Sequence, residues 1–118
     1  MQENDKAVLV YSTFPTIEAA EAEGGALVEA SLAACVNILP AMVSIYTWNG
    51  KRHRDDEVVM IIKTRRALAE RVIAEVRGRH PYKNPALLIL TVEGGSPPFL
   101  QWILDQTDAD AAQTPAED

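Results

Sequence analysis

One cysteine, Cys35, stands in 118 residues. An intramolecular disulfide framework is thereby excluded, and a lone thiol suits a reducing compartment. Long apolar runs are missing too, since none approaches the ~18 residues that a membrane span needs. The first residues, Met1-Gln2-Glu3-Asn4-Asp5-Lys6, have neither the basic start nor the apolar stretch of a secretory signal. The expectation is a cytoplasmic protein with no membrane partner.

Positive charge is also scarce. Eleven Lys and Arg face 17 Asp and Glu, for a net charge of −6. Nonspecific nucleic-acid binding is driven by phosphate neutralisation, so this balance argues against a nucleic-acid partner. Beyond Leu104 there is no Lys or Arg at all, while Asp105, Asp108, Asp110, Glu117 and Asp118 supply five negative charges. The body, residues 6–104, reads as one domain, and 105–118 as an acidic, mobile tail. Chemistry-bearing constellations are absent as well: there is no Ser-His-Asp arrangement, phosphate loop or HExxH helix. A hydrolase is not expected.

What is present has a clear order. Lys6 to Phe14 is a β-branched and aromatic run that predicts a strand. Pro15-Thr16 opens a helix with apolar or small positions at Ile17, Ala20, Gly24, Leu27, Val28 and Ser31. Gly24-Gly25 inside it costs about 1 kcal/mol per glycine relative to alanine, which points to close approach on a sheet or to a kink. Cys35 to Trp48 is β-rich, with Pro40 marking a bulge, bend or edge. Asn49-Gly50 then signals a two-residue hairpin turn. In perfect register Trp48 faces Lys51, Tyr46 faces His53, Ser44 faces Asp55 and Met42 faces Glu57. The return strand runs Lys51 to Thr64.

A second helix carries Leu68, Val72, Ile73 and Val76 on one face. It ends at Arg79-His80-Pro81-Tyr82-Lys83-Asn84-Pro85, a stiff elbow, because each proline biases the residue before it to extended backbone. Ala86 to Val92 is the last strand, and Pro97-Pro98 opens a short helix. The order predicts an α+β, ferredoxin-like βαββαβ sandwich with a long β-hairpin and a short C-terminal helix. Strands of about 13 residues exceed the usual ~5–6. Such a hairpin leaves an edge that invites pairing with another chain, so it is expected to pair between subunits. An RNA-recognition module shares this strand order but stacks bases on sheet-face aromatics, and Glu57 to Ile62 holds none.

Together, Leu32-Ala33-Ala34-Cys35-Val36-Asn37-Ile38, Ser44-Ile45-Tyr46-x-Trp48-x-Gly50-Lys51, Glu57-Val58 through Lys63-Thr64, His80-Pro81-Tyr82-x-x-Pro85 and Trp102-Ile103 resemble the CutA divalent-cation tolerance family. The resemblance runs from Ala7 to Leu104. It implies a ferredoxin-like subunit assembled as a homotrimer, a link to tolerance of divalent metals with copper the metal usually named, and kinship to trimeric PII signalling proteins. No catalytic activity comes with it. Family members often have an acidic residue where this chain has Asn49, Gly where it has Ala41, and Glu where it has Lys83 and Ala86. These departures remove carboxylates near the elbow.

Cys35 and His80 are the candidate metal ligands, since thiolate and imidazole together favour Cu or Zn over Mg or Ca. Against this, a buried cysteine is ordinarily a small core residue. His80 has an equally plain role open to it, capping the second helix or bonding a backbone carbonyl within the elbow. His53, among Lys51, Arg52 and Arg54, reads as a solvated surface residue. Asp55-Asp56-Glu57 alternates faces along a strand and falls short of the 6–8 oxygens that calcium requires. Tyr46, Trp48, Glu57, Lys63 and Tyr82 are candidates to line an intersubunit cleft. Three functions compete. One is a non-enzymatic, metal-linked trimer whose cofactor is copper or another divalent metal. A second is a PII-like regulator that binds a small molecule or partner protein in the cleft. The third is a stable structural trimer whose cleft is only packing.

Overall fold

The computed structural model describes residues 6–107. Strand β1 is Ala7–Phe14, helix α1 Ile17–Glu29, β2 Cys35–Trp48, β3 Lys51–Arg65, α2 Ala69–Arg79, β4 Leu87–Thr91 and α3 Pro97–Gln106. A 3-10 turn at Arg66–Leu68 leads into α2. The strands form one sheet in the order β2-β3-β1-β4, and every neighbouring pair is antiparallel.

Alternation along the central strands divides the sheet into two faces. Val10 and Phe14 of β1 and Val58, Met60 and Ile62 of β3 are buried under the helices. There they meet Ala20 and Leu27 of α1 and Val72 and Val76 of α2. Each large side chain so buried contributes about 1.5–3 kcal/mol. The opposite face carries Leu9, Tyr11, Val59, Ile61 and Lys63 at intermediate burial, with Leu88 and Leu90 of β4 exposed. Helix α3 lies against one end of the sheet through Ile103, which packs with Ala7 and Ala34.

Local chemistry accounts for the element ends. Thr16 caps α1, its Oγ1 accepting the Ala19 N–H at 3.1 Å. At Gly24 a Cβ would stand 2.7 Å from Val36 Cγ2 and 3.1 Å from Met60 Sδ, so glycine lets α1 close onto the sheet. Gly25 faces open space and serves no such contact. The hairpin register is the expected one, from Trp48↔Lys51 to Met42↔Glu57. Asn49 and Gly50 both have positive φ, 52° and 77°. A bulge falls between Leu39 and Met42, where Pro40 and Ala41 together oppose Val58, and Ala41 has φ 66°.

Since β1 covers β3 only from Val58 to Arg65, the rest of the hairpin projects past the sheet. The C-terminal boundary needs correction. Helix α3 continues past Leu104 to Gln106, and Thr107 is buried. Arg65 holds that end, with Nη2 donating to the carbonyls of Leu104 at 2.6 Å and Thr107 at 3.1 Å, and Nε donating to Thr107 Oγ1 at 3.0 Å. These bonds satisfy carbonyls that a helix C-terminus leaves without internal partners. Of the expected acidic tail, residues 108–118 lie outside the described residues.

Candidate site at the elbow and the foot of the hairpin

The segment after α2 is rigid for reasons visible in the sequence. His80 takes extended backbone before Pro81, at φ −72° and ψ 139°, and ends the helix. Its ring turns back under β1. His80 Nδ1 accepts the Tyr82 backbone N–H at 3.0 Å, so Nε2 carries the ring hydrogen and donates to the Thr13 carbonyl at 2.6 Å. The imidazole stacks on Phe14 at 4.5 Å between centroids and stands 4.8 Å from the Tyr82 ring.

Tyr82 then reaches the hairpin, its hydroxyl donating to Glu57 Oε2 at 2.9 Å. Partial burial, together with that carboxylate, pushes the Tyr82 phenol up to about 12. Further along the arm the Tyr46 hydroxyl donates to Asp55 Oδ2, and that bond raises the Tyr46 phenol above its ordinary value. His53 is not the solvated residue expected. It is half-buried, stacked on Tyr46 across the strand pair at 5.4 Å between centroids. Trp48, at the arm's end, is 56% exposed.

The remaining expected residues lie elsewhere. Cys35 pairs with Lys63 across β2 and β3, and the Lys63 ammonium sits 5.3 Å above the Phe99 ring of α3. Lys63 and Val58 are five residues apart on β3, and Val58 marks the level of Phe14 and His80. Cys35 and His80 of one chain are therefore separated by roughly 17 Å along the strands. Both His80 nitrogens are engaged. Among the described residues no group of three His, Cys, Asp or Glu side chains is placed to hold a metal ion. Within a single chain, Cys35 and His80 do not fit a shared cation.

The site thus joins His80, Tyr82, Glu57, Tyr46, Asp55 and His53, an aromatic and acidic strip from the elbow into the hairpin arm. Sequence reasoning missed the parts played by Thr13, Phe14 and His53. Perfect hairpin register did place Tyr46 opposite His53, and that was the available signal for the stack. Nothing local pointed to the anchor of His80 on Thr13, 67 residues away.

A four-stranded antiparallel sheet with two helices on one face, a third helix at its end and an overlong hairpin defines a class of small α+β proteins. The family model described as CutA1 divalent ion tolerance protein matches residues 8–106, and the chain belongs to that family. It is 40% identical over 110 residues to a chloroplastic CutA protein of Arabidopsis thaliana, covering 91% of this chain and 60% of that one. It is 37% identical over 97 residues to a divalent-cation tolerance protein CutA of Pectobacterium atrosepticum, covering 82% and 88%. The crystal structure of CutA1 from Oryza sativa superposes with a TM-score of 0.85 at 36% identity, covering 91% and 98%.

The chain spans about 60% of the length of the plant relatives it matches. Because one relative is named chloroplastic and a solved structure from Archaeoglobus fulgidus is named periplasmic, membership does not bring the expected cytoplasmic location with it. Among the described residues no helix is long and apolar enough to cross a membrane.

Proposed function

We propose that the protein is a non-enzymatic, ferredoxin-like homotrimer acting in divalent-cation tolerance, and that any cation site forms between subunits. The observation that carries this reading is the exposed apolar surface of the hairpin strand. Leu39, Val43, Ile45 and Trp48 of β2 are exposed by 46–68%. β2 is also an edge strand, with its outer backbone groups open to pairing. The other edge, β4, exposes Leu88 and Leu90. Two different edges of one sheet favour head-to-tail contact, which closes a ring when the rotation permits.

In such a ring the hairpin arm of one subunit brings Tyr46, Trp48 and Glu57 toward a neighbour. Cys35 and His80, too far apart in one chain, gain the chance to meet through different copies. To take a metal, His80 must give up either the Tyr82 N–H or the Thr13 carbonyl. Copper and zinc suit the thiolate and imidazole donors.

The test combines assembly and binding. Sedimentation equilibrium of the full chain should return three times the monomer mass, and a stable monomer would sink the assembly. Equilibrium dialysis against Cu(II) and Zn(II) should then show stoichiometric metal that falls in Cys35→Ala and in His80→Asn. Substoichiometric metal, indifferent to both substitutions, would sink the cation site and leave the trimer standing.

A further inference from the structure

We propose that Asn49 is a site of spontaneous covalent modification, at which the hairpin tip loses ammonia through a succinimide and becomes aspartyl or isoaspartyl. In this reaction the backbone nitrogen of Gly50 attacks Asn49 Cγ, forming the C–N bond of a five-membered imide. Gly50 N gives up its proton to solvent, solvent returns one to the side-chain nitrogen, and the Cγ–Nδ2 bond breaks to release ammonia. Water then adds to one of the two imide carbonyls, giving Asp by one opening and isoaspartate by the other. No oxidant, metal or enzyme is required, and water is the only co-reactant.

Three asparagines within residues 6–107 allow a comparison inside one molecule, and only one has every requirement. Asn84 precedes Pro85, whose nitrogen bears no hydrogen and cannot become the nucleophile. Asn37 precedes the β-branched Ile38, which crowds the attacking nitrogen, and its backbone is paired with Ile61 inside the sheet. Asn49 precedes glycine, and a Cβ built on Gly50 would meet nothing within 4 Å. Both tip residues are exposed, beyond the last pair, Trp48↔Lys51. Within one chain neither β1 nor a helix packs on this part of the arm, so nothing in the subunit itself shields Gly50 N or the Asn49 side chain.

The products alter the tip in two ways. A neutral amide becomes a carboxylate beside Lys51 and Arg52. Isoaspartate also adds a methylene to the main chain of a two-residue turn, whose φ values of 52° and 77° hold Trp48 opposite Lys51. The longer link breaks that match, so the modified arm loses register at its end.

The experiment ages the full-length protein in neutral and in mildly alkaline buffer made with heavy-oxygen water, followed by tryptic mapping. No Lys or Arg lies between Lys6 and Lys51, so one peptide carries both Asn37 and Asn49. Asn49 should convert to a mixture of aspartyl and isoaspartyl forms, each with one heavy oxygen, faster in alkali, while Asn37 keeps its amide. A folded chain in which Asn49 keeps its amide, or loses it no faster than Asn37, overturns the proposal. Conversion without isoaspartate overturns the succinimide route.

Discussion

Tyr82 and Glu57 meet where the elbow touches the hairpin, the phenol donating to the carboxylate at 2.9 Å. One hydrogen bond thus ties the chain behind α2 to the foot of the arm at Glu57, 25 residues earlier in the chain.

The bond has a defined pH window. The Tyr82 phenol is raised from 10.0 to about 12, so the folded protein favours its neutral form. Its contribution is whole below pH 10 and fades as pH climbs toward about 12. Tyr82→Phe should lower stability at neutral pH by roughly 0.5–1.5 kcal/mol, toward the low end because the ring is only half-buried. It should also remove the last-ionising phenol from an ultraviolet titration. If the titration of the variant keeps that late phenol, Tyr82 is not the group responsible.

His80 makes a stronger claim on stability. Replacing it with alanine removes the bonds to Thr13 and Tyr82 and the stack on Phe14. The expected loss is about 2–3 kcal/mol, read from urea unfolding at fixed protein concentration. An unchanged midpoint would mean that the elbow is held by its prolines alone.

The two glycines of α1 should respond in opposite directions. Gly24→Ala drives a methyl group into Val36 and Met60 and should cost about 1–3 kcal/mol. Gly25→Ala meets nothing and should gain up to ~1 kcal/mol from helix propensity. Thermal unfolding of both variants under one buffer decides it, and equal shifts would show that α1 does not sit as close to the sheet as described.

Ala41 is held at φ 66°, where an L-residue with a Cβ is disfavoured by about 1–2 kcal/mol. Ala41→Gly relieves that strain and gives back part of it as unfolded-chain entropy. The net gain should be about 0.5–1 kcal/mol. A loss on making Ala41→Gly would show that the bulge is not strained in this way.

Much of the architecture was legible because it rests on short-range chemistry. Asn49-Gly50 set the turn, the turn set the register, and Pro40 marked the bulge that keeps Leu39 and Met42 on one face. Thr16 capped α1 where a helix start was expected. The site was read less well, since its bonds join distant segments. His80 was singled out by the prolines around it, yet its partner on β1 left no local mark. Cys35 and His80 were grouped by their chemistry, and strand register then set them far apart in one chain. The clamp of Arg65 on Thr107 likewise depends on a carbonyl array that exists only once α3 has docked.

The bulge at Pro40-Ala41 divides β2 into an inner segment bound to the body and an outer segment whose backbone pairs with β3 alone. The body reaches that outer segment at its first residue, where the Tyr11 hydroxyl meets Met42 Sδ at 3.8 Å. Because side chains alternate with period two, lengthening each arm by a pair of residues leaves every face where it was. A single added residue would turn the outer arm over, presenting Val43 and Ile45 where Met42 and Ser44 now lie. Reach is therefore a quantity this fold can change in even steps without disturbing its core, and the bulge is the joint at which such growth begins.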